Sequence, residues 1–136
     1  MLVKKPRSPH DTEKACLSFN AGTKIDHLIH GIKGSIDALN IVMNSCPDVI
    51  NHNLETVPSL YICIRPQADY NRAMQLLRNV KQINPNTITK SGIMLGLGEK
   101  VNEVLDLFDD LTDAHCDILT IGQYLHLSLE HYPVMD

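Results

Sequence analysis

Residues 87–110, TITKSGIMLGLGEKVNEVLDLFDD, contain a strand, a turn and a helix in direct succession. The β-branched and apolar residues at positions 87–95 are typical of a strand. Gly96 and Gly98 interrupt this run, and apolar residues then recur at helical spacing over residues 101 to about 114. The face that we predict to be buried comprises Val101, Val104, Leu105, Phe108 and Leu111. The stretch therefore predicts one strand–turn–helix unit.

The same alternation extends through the rest of the chain. The pattern predicts strands over residues 25–29, 48–51 and 117–121, and helices over residues 36 to about 45 and 70–83, with Ser35 and Asp69 as N-caps. The residues between 51 and 70, which include Pro58 and Pro66, are predicted to be a long connection. Strands that alternate with helices indicate a parallel sheet with crossover helices. The fold class is therefore predicted to be α/β, with an open or partial barrel favoured over a doubly wound sheet.

The composition is that of an ordinary globular domain, because 43% of the 136 residues are hydrophobic and 21% are charged. We expect a domain over residues 25–134, preceded by a loose leader (1–24) and followed by a short tail (135–136). The net charge is −4 and no block of Lys and Arg occurs, so no nucleic-acid partner is expected. No long apolar run follows the basic residues Lys4, Lys5 and Arg7, so we expect no targeting peptide, no membrane span and a cytoplasmic location.

Cysteine and histidine spacing gives no metal motif. None of the four cysteines lies within four residues of another, which favours free buried thiols: Cys16, Cys46, Cys63 and Cys116. Seven histidines occur, but His27 and His30 would face opposite sides of a strand, and the others lack ligand spacing. We therefore predict no metal ligands in this chain.

The glycine turn between strand and helix is open to two interpretations. It fails the dinucleotide-binding fingerprint, because Val101 occupies the position of the third glycine. The glycines either permit a tight turn or form a backbone platform for a ligand at the carboxyl end of a strand. Glu99 would either offer its carboxylate to a sugar hydroxyl or an amine, or stabilise the start of the next helix.

The segment NHNLE (51–55) places polar groups directly after an apolar strand. Buried polar groups are unfavourable unless they form hydrogen bonds. The segment therefore either ties down a loop or, together with the glycine turn, outlines a ligand site suited to a ribose or an amino-acid head group. A third possibility, an unrelated enzyme that uses His52 and Glu55 as acid and base, has little support.

One known family has, in the same order and at the same spacing, four blocks of this sequence: DVINHNLETVP (48–58), YICIRPQADY (61–70), TKSGIMLGLGE (89–99) and LTIGQYL (119–125). Over about residues 31–134 the chain closely resembles lipoyl synthase, a radical S-adenosylmethionine (SAM) enzyme. The resemblance implies about half of a partial (β/α) TIM-type barrel. It also implies two [4Fe–4S] clusters, one of which cleaves SAM to a 5′-deoxyadenosyl radical. That radical acts on a protein-bound octanoyl chain, into which the second cluster inserts two sulfurs.

The resemblance implies no catalytic residue in this chain, but it assigns SAM-binding roles to several positions. These are Asn53 and Glu55 at the head group or ribose, Lys90, Ser91 and Gly92 along the pocket, Gly96, Gly98 and Glu99 beside the adenine, and Gln123 and Tyr124 closing the pocket. Arg65 is expected to bind a carboxylate of the substrate or cofactor. The implied partner is an octanoylated lipoyl domain or H protein.

The departures from the family concern the clusters. No CxxxCxxC run occurs, and the auxiliary cluster's closely spaced cysteines are also missing. After Leu125 the family's arginine is replaced by Leu129 and the next basic residue by Glu130. We therefore expect a truncated lipoyl synthase-like chain that is inactive alone and self-associates through an exposed strand edge. The alternative is a non-catalytic module that binds SAM or a lipoyl domain.

Overall fold

In the part of the chain that the structure describes, four parallel strands, paired in chain order, form one sheet. The structure is a computed structural model that describes residues 22, 24–29, 34–126 and 132–135. Its elements are β1 (Asp26–Leu28), α1 (Ile36–Met43), β2 (Val49–Asn51), a 3₁₀ helix (Pro58–Leu60), α2 (Tyr61–Ile64), α3 (Tyr70–Ile83), β3 (Ile88–Leu95), α4 (Val101–Asp113) and β4 (Ile118–Gln123). Most of the predicted leader lies outside the described residues. No helix in the described ranges is long and apolar enough to span a membrane.

The strand order distinguishes between the two predicted sheet types. A doubly wound sheet reverses its order at a switch point, whereas this sheet runs β1–β2–β3–β4 without reversal. Since crossovers between parallel neighbours are right-handed, consecutive crossovers in one direction place their helices on the same side of the sheet. The α/β prediction is confirmed, and the arrangement is that of a partial TIM-type barrel.

The helix starts were readable from the sequence. Ser35 Oγ accepts a hydrogen bond from the Ala38 amide at 3.2 Å, and Asp69 Oδ1 accepts one from the Arg72 amide at 2.8 Å. These caps satisfy amide groups that have no partner within the first helical turn. Helix α3 has the predicted bounds, whereas α1 ends at Met43, two residues earlier than predicted.

Two further predictions differ from the structure. The predicted long connection contains the 3₁₀ helix and α2, which Pro58 begins and Pro66 follows. In α4, Val101 and Leu105 are 78% and 54% exposed. The side that packs on the core instead comprises Val104, Leu107, Phe108 and Leu111. Both sets fit helical spacing, so the periodicity alone did not distinguish between them.

The two faces of the sheet differ in character. Ile50 and Ile93 point towards the helices and lie in the hydrophobic core. Because successive side chains of a strand alternate, the residues next to Ile50 and Ile93 in their strands point to the opposite side of the sheet. We call that side the inner face, and by strand register it carries Asp26, Leu28, Val49, Asn51, Lys90, Gly92, Thr120 and Gly122.

Candidate functional site

The segment after β2 is fixed to both neighbouring strands. His52 Nδ1 donates to the carbonyl of Ile29 at 2.8 Å, and the His52 amide donates to the carbonyl of Lys90 at 2.9 Å. Leu54 is fully buried in the core between these contacts and α3. The segment therefore holds its polar residues in defined positions at the carboxyl end of the sheet.

Glu55 continues this segment in an unusual backbone conformation. Its φ angle is +69°, in the left-handed region that residues with a Cβ seldom adopt. The Glu55 amide donates to the carbonyl of Gly92, and the Met94 amide donates to the carbonyl of Glu55, at 2.9 and 2.8 Å. These two bonds to β3 hold the strained residue in place. Such strain is concentrated at binding and catalytic sites.

Polar side chains from both sides approach β3 closely at Gly92. A Cβ atom placed on Gly92 would lie 2.9 Å from Asn53 Oδ1 and 2.9 Å from Thr120 Oγ1. Only glycine therefore lets these two polar side chains, from the segment after β2 and from β4, approach β3 on its inner face. Thr120 is also fixed by a hydrogen bond from its Oγ1 to the carbonyl of Ser91 at 3.2 Å.

Lys90 and Ser91 are neighbours in sequence but serve opposite faces of β3. Lys90 lies on the inner face, where its Nζ is 2.9 Å from Asp26 Oδ2. Ser91 is fully buried, and its Oγ accepts a hydrogen bond from the Leu54 amide at 3.3 Å. Ser91 therefore supports the segment after β2 from the helix side, while Lys90 and Gly92 line the inner face.

The glycine turn after β3 is organised by Glu99. The two carboxylate oxygens of Glu99 accept hydrogen bonds from the amides of Gly96, at 2.6 Å, and Leu97, at 2.9 Å. Gly96 and Gly98 have φ angles of +102° and +100°, which a side chain would strain. The Glu99 carboxylate therefore stabilises the turn that precedes it. Neither interpretation of the sequence named these two amides as its partners.

Residues after β4 pack against this turn. The Met135 amide donates to the carbonyl of Gly96 at 2.8 Å. At the end of β4, Gln123 Nε2 lies 3.2 Å from the position of a Cβ on Gly96, and the Tyr124 amide donates to the carbonyl of Leu95, directly before the turn, at 2.8 Å. The Tyr124 hydroxyl donates to the carbonyl of Tyr132 at 2.9 Å. The structure therefore brings Gln123 and Tyr124 to the glycine turn, although their sequence positions are more than 20 residues away.

Arg65 reaches the same segment from α2. Its Nη1 donates to the carbonyl of Asn53 at 3.0 Å, and its guanidinium carbon lies 6.0 Å from the centre of the Tyr61 ring. The Tyr61 hydroxyl donates to the carbonyl of Leu54 at 2.8 Å, and burial raises the pKa of Tyr61 to about 12. Together these donors fix two consecutive carbonyls of the segment that carries Asn53.

The structure adds two residues that the sequence did not single out, Asp26 and Thr120, whereas Asn51 already belongs to the predicted segment NHNLE. Thr120 lies in the block LTIGQYL, so a signal for it existed. Asp26 pairs with a residue 64 positions away and had no local signal.

The described cysteines do not form a cluster site. Cys46, Cys63 and Cys116 are free as predicted, but the predicted burial is wrong for Cys46 and Cys63, which are exposed because they lie just after the end of α1 and on the short surface helix α2. Cys16 lies outside the described residues. Burial raises the pKa of the Cys116 thiol, which disfavours the thiolate that iron requires. Among the residues that the structure describes, no group of three His, Cys, Asp or Glu side chains is arranged to hold a metal ion. These residues do not fit a [4Fe–4S] cluster.

Comparison with known proteins identifies relatives of the chain. No family model matches the sequence. Three lipoyl synthases are 50%, 50% and 48% identical to it over 117, 114 and 115 residues, from Alkaliphilus metalliredigens, Caldicellulosiruptor bescii and Caldanaerobacter subterraneus subsp. tengcongensis. The matches cover 86%, 84% and 85% of this chain but 40%, 39% and 40% of the relatives. The resemblance predicted from the sequence is confirmed, and this chain is homologous to lipoyl synthase over about 40% of the length of those relatives.

Proposed function

We propose that this chain forms the SAM-binding edge of a lipoyl synthase-type site and carries no cluster chemistry of its own. The homology supports the family assignment, and the chain spans only part of the relatives. We therefore propose that the chain contributes to the family reaction, the radical insertion of sulfur into a protein-bound octanoyl chain. We also propose an octanoylated lipoyl domain or H protein as its partner. We also propose the cytoplasm as the compartment, where thiols such as those of the described cysteines stay reduced.

The observation that carries the proposal is the meeting of Asn53 and Thr120 over Gly92. It occurs at the carboxyl end of a parallel sheet, where (β/α) barrels place their ligands. An amide and a hydroxyl supply both donors and acceptors, which suits a ribose or an amino-acid head group. The strained backbone of Glu55 beside them supports the same location.

In this proposal each residue has a binding or orienting role. Asn53 and Glu55 would hydrogen-bond the ribose or amino group of SAM, and the Lys90 ammonium would attract its carboxylate. Glu99 would keep the glycine turn in shape beside the adenine, and Arg65 would orient Asn53 through its backbone carbonyl. Bound SAM would supply the precursor of the radical that the family reaction uses.

The donor set limits what this chain is proposed to do. The described cysteines do not fit an iron–sulfur cluster, so no step of sulfur transfer is assigned to these residues. On this view the chain alone is inactive, and cluster ligands would have to come from elsewhere. The second candidate is a non-catalytic module that binds SAM or a lipoyl domain, which the same polar site favours.

Titration calorimetry with SAM tests the proposal. The purified chain is expected to bind SAM, and Asn53→Ala is expected to weaken binding about tenfold, the effect of losing one or two good hydrogen bonds. The matched control is Asn102→Ala, an exposed asparagine on α4 that is remote from β2 in sequence, which should bind as the wild type does. Absence of binding by the wild type, or equal binding by both variants, would contradict the proposal.

A fluorescence titration with an octanoylated lipoyl domain then tests the partner. Binding of the domain together with SAM, without formation of any lipoyl product, is expected of both candidates. Reconstitution with iron and sulfide under anaerobic conditions tests what the two candidates share, because a [4Fe–4S] signal in electron paramagnetic resonance would show that the chain does carry cluster ligands and would contradict both.

A further inference from the structure

Asn51 has a buried side-chain oxygen without a hydrogen-bond partner. The residue is 8% exposed, and its Oδ1 is one of two such atoms among the described side chains, the other being Thr56 Oγ1. A buried acceptor that finds no donor is unfavourable, and native proteins contain few of them. Unpaired acceptors that persist in a native fold call for an explanation.

The position of Asn51 connects this oxygen to the site at Gly92. Asn51 lies at the end of β2, opposite Leu28 of β1 and Lys90 of β3, on the inner face. Gly92 lies two residues beyond Lys90 on β3, which is about 6.6 Å along the strand. Asn53, which packs over Gly92, follows Asn51 by two residues. Asn51 is therefore located on the inner face one pleat before the place where Asn53 and Thr120 meet.

An ion pair crosses the strand that carries Asn51. Lys90 and Asp26 belong to β3 and β1, and β2 lies between them. Asp26 lies opposite Val49, and Lys90 lies opposite Asn51. Their side chains therefore meet diagonally across the inner face of β2. The two side chains are 26% and 38% exposed, and ion pairs with this exposure contribute little to stability. The pair can open at small cost when a ligand binds.

We propose that Asn51 Oδ1 is a ligand acceptor. It receives a hydrogen bond from a hydroxyl or amino group of the molecule bound at Gly92, and the Lys90–Asp26 pair opens to admit that molecule. The inference rests on the proposed function, because the site is the same one. It adds Asn51 to the residues that line that site. The unpaired oxygen then lowers the stability of the free protein but serves ligand binding.

The test measures thermal stability and SAM affinity together. Asn51→Leu keeps the shape of the side chain and removes the unpaired oxygen. It is expected to raise the melting temperature of the free protein by about 3 °C and to weaken SAM binding about tenfold. Asn51→Ala, which adds no bulk, is expected to weaken binding by a similar factor. The matched control is Thr56→Val, which removes the other unpaired oxygen and should raise the melting temperature while leaving the affinity unchanged.

Asp26→Asn tests the opening of the ion pair, and it is expected to strengthen SAM binding about threefold by removing the contact that must open. Equal SAM affinity of wild type and both Asn51 variants would overturn the inference while leaving the proposed function intact. No change on Asp26→Asn would overturn the opening of the ion pair. Failure of the wild type to bind SAM would instead refute the proposed function, and the inference with it.

Discussion

Replacement of Gly92 by alanine tests the close approach of Asn53 and Thr120 to β3. The new Cβ would lie 2.9 Å from both Asn53 Oδ1 and Thr120 Oγ1, whereas ordinary contacts begin near 3.4 Å. Each oxygen must therefore retreat by about half an ångström. Both belong to side chains, so the backbone of β3 need not move.

The magnitude follows from what each side chain loses. Thr120 is stiff about its Cα–Cβ bond, so its retreat lengthens the 3.2 Å hydrogen bond to the carbonyl of Ser91, a loss of about 1 kcal/mol. Overpacking adds about 1 kcal/mol, and the reduced freedom of the unfolded chain returns about 0.5 kcal/mol. We expect Gly92→Ala to lower the free energy of unfolding by about 1–2 kcal/mol. Displacement of Asn53 should weaken SAM binding at least tenfold.

Gly122→Ala provides the matched control. Gly122 also lies in a strand on the inner face, and a Cβ placed there meets nothing within 4 Å. The melting temperature of the Gly122→Ala variant is expected to equal that of the wild type or to be slightly higher. In a Thr120→Ala background, Gly92→Ala should be less destabilising than in the wild type, because one of the two close contacts is gone.

Chemical denaturation gives the free energies, and calorimetry with SAM gives the affinities. Equal stability of the Gly92 and Gly122 variants would refute the packing argument. Additive effects of Gly92→Ala and Thr120→Ala would refute it as well, because the argument requires the two positions to be in contact.

Three further outcomes are expected. Asp117 accepts hydrogen bonds from Lys81 Nζ and the Thr89 amide at 2.6 and 2.7 Å; desolvation raises its pKa, but these bonds outweigh it and lower the pKa below 3.8. Its stabilising contribution is therefore present above pH 4 and lost as the pH falls through the lowered pKa. The free energy of unfolding, measured by denaturation at pH 3 and pH 6, should differ less between the two pH values in Asp117→Asn than in the wild type. An equal difference in both proteins would contradict this assignment. Tyr61→Phe removes a buried donor and should lower the free energy of unfolding by about 1–2 kcal/mol in urea denaturation, and no loss would show that the bond contributes nothing. Self-association through the β4 edge should appear as dimers in light scattering and decrease on Ile121→Lys, since this residue is 51% exposed, whereas a monomeric wild type would exclude it.

The sequence allowed good prediction wherever the signal was local. The caps Ser35 and Asp69 and the periodicity of residues 70–83 determined the helices, because a cap and its amide lie within four residues of each other. The α4 face was predicted in part, because Val101 and Leu105 compete with Leu107 at helical spacing. The helix after Pro58 was missed, although a proline at its start and another after its end were visible.

The candidate site could be predicted only as a set of segments. The blocks NHNLE, TKSGIMLGLGE and LTIGQYL named its parts, but alternation along β3 decided that Ser91 faces the core while Lys90 and Gly92 face inward. The sequence did not predict the hydrogen-bond partners of Glu99. Its carboxylate accepts bonds from two amides of the turn, and the positions of these amides depend on the positive φ angles of the glycines.

The sequence by itself determined the α/β alternation, the positions of most helices and the homology to lipoyl synthase. Tertiary structure alone decided the contacts between distant residues, such as the ion pair between Lys90 and Asp26, which are 64 residues apart. It also placed Asn53 and Thr120 over Gly92 and left Asn51 Oδ1 buried without a partner. The physical reason is that capping and periodicity act within a few residues, whereas strand order and register arise from hydrogen bonds between segments far apart in the chain.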